Sequence, residues 1–198
     1  MKLKLLLLTI SIILLASCAP TTKIQKTWAD PSLTKETFDS YKKVLVIAVL
    51  KDDTGRRIAE DKLVASFKNT TTVQSYTYLT PADTTQQIVE QKLKNDGFDA
   101  VIYMRLKEVE KSVTYNQGSG YYGGYGWYGG YRGGYYSPGY YSEDKTFVVE
   151  TNIYDVAANK LMWSTTTSTL NPTAIEKSLD GIIYTLRYEL MKKGYIKM

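Results

Sequence analysis

Histidine is absent from all 198 residues, and cysteine occurs only once, at position 18. Without an imidazole the chain has neither the usual general acid–base group nor a Ser-His-Asp triad. One cysteine excludes an internal disulfide and a zinc site built from several Cys or His ligands. Carboxylates, lysines, serines and tyrosines remain, and we predict no metal, no cofactor and no enzymatic activity.

A strong excess of charge of either sign is also lacking. The chain carries 25 basic and 20 acidic residues, a net charge of +5, and the basic residues are scattered rather than grouped on one face. Binding to nucleic acid usually requires a basic patch or stripe. We therefore predict that nucleic acid is not a partner.

The first residues have the pattern of a secretory signal peptide, predicted over residues 1–17. Lys2 and Lys4 precede an apolar run over residues 5–15, and small residues follow. A helix that spans a bilayer needs about 20 apolar residues, so this run is too short to cross.

The residues Leu15-Ala16-Ser17-Cys18 resemble the lipobox of bacterial lipoproteins. The resemblance implies cleavage before Cys18, a diacylglycerol on its sulfur, and an acyl chain such as palmitate on the new amino terminus. Two or more acyl chains anchor a protein stably in a membrane. In the resembled proteins an Asp after the cysteine favours the inner membrane, and Ala19 here implies an outer membrane, with the domain facing the periplasm. The alternative is a free thiol at an ordinary signal-peptide junction.

The remaining sequence predicts a tether over 18–41, which could include an edge strand near Lys23 to Trp28, and then a single domain over 42–198. An apolar run at 42–50 predicts a buried strand, and 73–79 predicts a second strand. Asp83 is the expected N-cap of a helix that Gly97 ends.

A third strand starts at residue 99 or 100, alternates and runs to about residue 115. Two further strands over 145–170 are joined by a turn at 157–160. Apolar residues at helical spacing predict a last helix, with Ile175, Leu179, Ile182, Ile183, Leu186 and Leu190 on its inner face. We predict an α/β (α+β) fold with one mixed sheet of about five strands and three helices, in the order β-α-β-α-β, long loop, β-β-α.

Several segments resemble a group of small bacterial envelope lipoproteins that are mostly uncharacterised: KKVLVIAV, RRIAEDKLVASF, SYTYLTP, DGFDAVIYMRL and YDVAANKLMWSTTTST. The order of elements is similar to the periplasmic domains of curli-secretion lipoproteins, of penicillin-binding-protein activators and of the TolB amino-terminal domain. The resemblance implies a fold and does not specify an activity.

One cluster of charged residues could hold a polar ligand or serve a hydrolase. Asp52 and Asp53 follow the first strand at its carboxyl end, and Arg56 and Arg57 lie close behind. Open α/β sheets often bind ligands at this edge. The alternative is a solvated turn, with an aspartate placed near a helix start. A Ser-x-x-Lys match at Ser40 and Lys43 is treated as a coincidence, because the lysine opens a strand.

The most unusual segment is an insertion rich in glycine and tyrosine at about 116–144. Residues 115–141 contain 10 of the 18 tyrosines and 10 of the 14 glycines. Two G-x-G-x-x-G matches inside it are expected from composition alone, because no helix follows them. Three interpretations stay open: an inert loop, an adaptable surface for self-association or glycan stacking, and a strand-forming aggregation segment. The residues that would make partner or glycan contacts are Tyr121, Tyr122, Tyr125, Trp127, Tyr128, Tyr131, Arg132, Tyr135 and Tyr136.

Taken together, the sequence predicts a non-enzymatic, lipid-anchored cell-envelope protein, a periplasmic binding or assembly module that contacts protein or glycan partners. The alternative prediction is an envelope hydrolase or ligand-binding enzyme that uses the carboxylates of Asp52 and Asp53.

Overall fold

A computed structural model describes residues 22–68, 70–83, 85–116, 140–172 and 174–196. These ranges contain six strands and five helices, so the mixed α/β fold is confirmed, with one strand and two helices more than expected. The strands are β1 (Thr22–Ala29), β2 (Lys43–Val49), β3 (Thr71–Gln74), β4 (Ala100–Asn116), β5 (Tyr140–Asp155) and β6 (Lys160–Leu170). The helices are α1 (Lys35–Ser40), α2 (Asp53–Ala65), α3 (Ser75–Tyr78), α4 (Gln86–Asn95) and α5 (Ile175–Lys192).

All six strands form one sheet in the order β1-β6-β5-β4-β2-β3. Strand β2 is parallel to β3 and β4, whereas β4, β5, β6 and β1 pair antiparallel. The two kinds of pairing follow from the connections: helices join β2 to β3 and β3 to β4, while a tight turn joins β5 to β6. Strand β1 includes residues 23–28, where the sequence allowed an edge strand within the predicted tether over 18–41, so this part of the chain pairs with the sheet.

The two ends of the sheet differ, and we name them by what they carry. At the turn end, the turn at residues 156–159 joins β5 to β6, with Asn159 in the left-handed region at φ 48°. At the ribbon end, β4 and β5 extend together beyond the other strands as a two-stranded ribbon. Strand β1 begins at this end, with Thr22 opposite Thr169. The ribbon end is also where β2 finishes and α2 starts.

The main core lies between one face of the sheet and the helices α2 and α5. Val46 and Met104 from the sheet meet Ala59 of α2 and Leu186 of α5, and all four are buried. The helical spacing of apolar residues in α5 predicted which face of this helix is buried. The five residues on that face are all buried: Leu179, Ile182, Ile183, Leu186 and Leu190. Trp163 on β6 is 1% exposed and belongs to the same core.

A smaller core covers the opposite face of the parallel half of the sheet. There Leu45 and Val101 pack with Leu93 of α4 and Phe98. Gly97, at φ 69°, ends α4 as expected, because glycine adopts the left-handed conformation at low cost. Among the described helices, none is long and apolar enough to cross a membrane.

The prediction of a strand over 73–79 was wrong beyond Gln74. Residues Ser75–Tyr78 form a helical turn instead. The cause is Glu60 of α2, which is fully buried and accepts hydrogen bonds from the Ser75 hydroxyl at 2.6 Å and the Tyr76 amide at 3.3 Å. The same carboxylate accepts from the amide of Ala48 at 3.0 Å, beyond the point where β3 pairs with β2.

The predicted cap of α4 was also wrong. Thr85 is the N-cap, and its hydroxyl accepts from the amide of Ile88. Asp83 instead accepts from Thr80 and from the ammonium of Lys92 at 2.9 Å. Asp83 therefore connects the loop before α4 to the body of that helix.

Candidate functional site

The paired ends of β4 and β5 form a two-stranded ribbon that extends beyond the rest of the sheet. Strand β2 stops at Val49, opposite Arg105 of β4, and β6 stops at Leu170, opposite Thr146 of β5. Strands β4 and β5 continue together until Asn116 pairs with Tyr140. The ribbon therefore extends about 20 Å past β6, at roughly 3.3 Å per residue.

Asn171 fixes the point where the ribbon separates from the sheet. It follows the last residue of β6, and its backbone lies in the left-handed region at φ 44°, which Asn tolerates better than most residues. Its side chain accepts from the Lys145 amide at 2.8 Å and donates to Asp144 at 2.6 Å. These bonds replace the strand partner that β5 loses there, while the chain turns away toward α5.

A bulge lies on β4 between the level where β2 ends, at Arg105, and the level where β6 ends, at Glu110. The register shifts between Leu106 and Glu108, so that Lys107 is the extra residue. Its ammonium lies 3.7 Å from the carboxylate of Glu150 on β5. Bulges bend a strand and increase its twist, so the ribbon leaves the sheet with its own direction.

In the described part of the ribbon, the side chains of β4 are exposed and those of β5 are exposed or half-buried. On β4 every residue from 107 to 114 is exposed, and Val109 and Val113 keep 38% and 66% of their surfaces in solvent. Lysine and glutamate alternate with them: Lys111 and Lys145 lie 3.7 and 3.8 Å from Glu143. Charges of this kind discourage edge-to-edge aggregation of exposed strands.

A shallow cleft of about 290 Å³ lies at the base of the ribbon. It is lined by Glu143, Lys145, Phe147, Asn171 and Pro172. Phe147 pairs with Val109 across the strands, so a row of side chains continues from the cleft along the ribbon, apolar at Val109 and Val113 and charged at Lys111 between them. This row was not identified from the sequence, although the spacing of Val109 and Val113 on an alternating strand could have revealed it.

The members of the predicted polar cluster lie together at the start of α2, but both carboxylates already have partners within that helix. Asp52 is the N-cap of α2 and accepts from the amide of Gly55 at 2.6 Å. Asp53 accepts from Arg56 at 2.6 Å and from Arg57 at 2.9 Å. The hydrogen bonds from Arg56 and then Arg57 lower the pKa of the Asp53 carboxyl, since they favour its charged form. The guanidinium of Arg57 also lies over the ring of Tyr76, 5.0 Å from its centre.

Other predicted residues lie apart or outside the described ranges. The hydroxyl of Ser40 donates to the carbonyl of Thr37, while the ammonium of Lys43 donates to the carbonyl of Asp96, so the two are not neighbours. Cys18 and the nine aromatic and arginine positions between 121 and 136 lie outside the described residues. Within the described residues, no group of three acidic, histidine or cysteine side chains is placed to hold a metal ion.

One further aromatic pair is exposed on the outer surface of α5. Tyr184 and Tyr188 keep 71% and 54% of their surfaces in solvent, and their rings stack with centres 6.4 Å apart. Residues four apart on a helix lie on one face, so this pair follows directly from the spacing.

Neither a protein-family model nor any curated protein sequence matches the chain. Among solved structures, a PelC dodecamer from Paraburkholderia phytofirmans aligns with 84% of this chain and 95% of its own, at 12% identity and a TM-score of 0.45. A second PelC dodecamer structure from the same organism aligns with 83% of this chain and 96% of its own, at 12% identity and a TM-score of 0.43. Lipoprotein GNA1162 from Neisseria meningitidis aligns with 76% of this chain and 99% of its own, at 14% identity and a TM-score of 0.41. TM-scores below 0.5 do not show that these proteins share a family or a function with this chain.

Proposed function

We propose that the chain is a non-enzymatic, lipid-anchored protein of the bacterial cell envelope, and that its ribbon presents the tyrosine-rich segment to a protein or glycan partner. The observation that carries the proposal is the ribbon itself. Strands β4 and β5 continue past every neighbouring strand and end at Asn116 and Tyr140, on either side of that segment. A segment joined to the sheet in this way begins about 20 Å from the edge of β6.

The composition of the segment suits contact with a partner. Tyrosine combines a flat apolar face and a hydroxyl group with only two rotatable side-chain bonds, so it gives large contacts at low entropic cost. Glycine allows the backbone to adapt. The proposed contact residues are those predicted from the sequence, at Tyr121, Tyr122, Tyr125, Trp127, Tyr128, Tyr131, Arg132, Tyr135 and Tyr136.

The proposed anchor is the lipid on Cys18, in the outer membrane, with the domain in the periplasm. The lipobox resemblance and Ala19 support this placement. The engagement of the polar cluster supports a role without catalysis. Asp52 caps a helix and Asp53 is held by two arginines, so both carboxylates already have partners.

The test is to change the aromatic content of the segment while keeping its length. The nine proposed contact residues are replaced by serine, and photo-crosslinking in intact cells is followed by identification of the captured molecules. We expect recovery of the main partner to fall by about tenfold or more, since each lost aromatic contact removes about 0.5–1.5 kcal/mol. The thermal unfolding midpoint should stay unchanged, because no described core residue is altered.

The matched control replaces Tyr184 and Tyr188 by serine, since these tyrosines are exposed in the folded domain but lie on α5. We expect this variant to capture the partner as the unaltered protein does. If the nine-residue variant captured the same molecules in the same amounts, the proposed role of the segment would be wrong.

A further inference from the structure

Strand β1, which follows the proposed lipid anchor by four residues, begins at the same end of the sheet as the ribbon. Strand β1 begins at Thr22, which pairs with Thr169 of β6, and Thr169 pairs in turn with Phe147 of β5 and so with Val109 of β4. The first residue of β1, Thr22, is level with Val109, and from that level the ribbon continues outward to Asn116. A membrane attached to the amino terminus of β1 is therefore on the side toward which the ribbon points.

The lengths of the two connections decide how close the ribbon comes to that membrane. Cys18 precedes Thr22 by four residues, so the fully extended chain between them spans at most about 14 Å. The ribbon extends seven residues past the Val109 row to Asn116, or roughly 23 Å. Two to three strand spacings, about 10–14 Å, separate β1 from the ribbon in the plane of the sheet. The ribbon, at roughly 23 Å, is thus longer than the connection between Cys18 and Thr22, which spans at most about 14 Å.

The exposed chemistry of the ribbon fits the surface of a bilayer. Val109 and Val113 lie on one face, with Lys111 between them. Their partners on β5 lie on the same face: Phe147 at its base, then Lys145 and Glu143. A lysine can place its aliphatic stem against an apolar surface while its ammonium stays among polar groups. The alternating Lys and Glu residues oppose deep insertion, and a strand that crosses a bilayer needs about 9–11 residues with one apolar face.

We propose that the face of the ribbon bearing Val109 and Val113 contacts the headgroup region of the bilayer that holds Cys18. The ribbon is then a second, non-covalent point of membrane contact, which limits how freely the domain turns about its tether. This inference rests on the lipid anchor of the proposed function, and its test must separate the two.

The test uses the lipidated protein in vesicles of phosphatidylethanolamine and phosphatidylglycerol. A single added cysteine carries an environment-sensitive fluorophore at Val113→Cys, on the proposed contact face. Two matched variants carry it at Ser112→Cys, on the opposite face of the ribbon, and at Ala157→Cys, in the turn at the other end of the sheet. Cys18 does not compete for the label once its sulfur is a thioether. Lipids with a nitroxide at the headgroup serve as the quencher.

We expect the label at position 113 to be quenched at least twofold more than the label at 112, and the label at 157 not to be quenched. Equal quenching at 112 and 113, or none at 113, would overturn the contact. Burial of the 113 label without vesicles would also overturn it, in favour of contact between copies of the chain. The mass of each sample shows whether Cys18 carries lipid, so loss of the anchor is distinguished from loss of the ribbon contact.

Discussion

The two halves of strand β4 show how one strand can serve two purposes. From Ala100 to Arg105 it lies between β2 and β5, and Ala100, Ile102 and Met104 are all at most 6% exposed. From Lys107 to Asn116 only β5 accompanies it, and Val113 is 66% exposed. The same alternation of side chains therefore stabilises the domain in the first half and presents a surface in the second. We expect substitutions in the first half to change stability and those in the second to change contacts.

The largest effect that would test this comparison comes from Met104→Ala. Met104 is 1% exposed in the main core, so its truncation should lower the free energy of unfolding by about 2–5 kcal/mol. The matched change in the exposed half, Val113→Ala, should cost less than about 0.5 kcal/mol. Urea unfolding of both variants measures the difference. Similar losses would mean that the ribbon is part of the cooperative unit and that the comparison is wrong.

A somewhat smaller effect is expected for Glu60→Ala. The substitution leaves the amides of Ala48 and Tyr76 and the hydroxyl of Ser75 without their common acceptor. We expect a loss of about 2–3 kcal/mol in urea unfolding, because unsatisfied buried donors are costly. The control is Glu176→Ala, at an exposed position in the first turn of α5, which should cost under about 1 kcal/mol. If the two variants unfolded together, Glu60 would not be what joins α2 to the end of β3.

Asn171→Ala should have an effect of about 1 kcal/mol, located where the two halves separate. Alanine removes the bonds to Lys145 and Asp144, and it adopts the left-handed backbone conformation less readily than asparagine. Asn171→Gly adopts the left-handed backbone at low cost but does not restore the lost bonds, so the stability of this variant should lie between that of Asn171→Ala and that of the unaltered protein. Thermal unfolding gives the order of stability. Faster amide hydrogen exchange at 144–146 than at 151–153 would locate the loss at the base of the ribbon.

The smallest effect concerns pH and the turn end, far from the ribbon. The hydrogen bond from Lys160, followed by those from Ser32, lowers the pKa of Asp30 to about 2. A carboxyl with a depressed pKa stabilises the fold above its unfolded pKa of about 3.9, and this contribution is lost as the pH falls through 2. Unfolding midpoints measured from pH 5 to pH 2 should therefore decline less steeply for Asp30→Asn than for the unaltered protein. Parallel declines would show that Asp30 does not contribute.

The sequence predicted most of the sheet, because those signals are local. The buried run of β2, the alternation of β4, the turn before Lys160 and the left-handed Gly97 can each be recognised within a few residues. The failures were non-local. Val73 and its neighbours have the composition of a strand, but a carboxylate on α2 turns the chain at Ser75.

The site illustrates the same limit. The sequence indicated that β4 could continue to about residue 115, but not that β2 and β6 would stop earlier, since the length of a neighbouring strand cannot be read from the strand itself. It also grouped Asp52, Asp53, Arg56 and Arg57 correctly in space, while their mutual bonding depends on side-chain geometry. That β1 begins at the end of the sheet that carries the ribbon follows only from the register of β1 on β6.

That register also has a mechanical consequence. If the chain is pulled from the amino-terminal side of β1, the force acts along the axis of that strand, so its seven paired positions with β6 resist together in shear and do not open one by one. Hydroxyl bonds add to this ladder, from Thr165 to the carbonyl of Lys26 at 3.0 Å and between Thr22 and Thr169 at 2.9 Å. The ion pair of Asp30 with Lys160 fastens the far end of the strand. Thus β1, although it is an edge strand, can carry force from its amino terminus into the domain. We expect single-molecule pulling between positions 22 and 157, at opposite ends of the sheet, to meet greater resistance than pulling between positions 22 and 170, at the same end, which opens the β1–β6 pairs one by one.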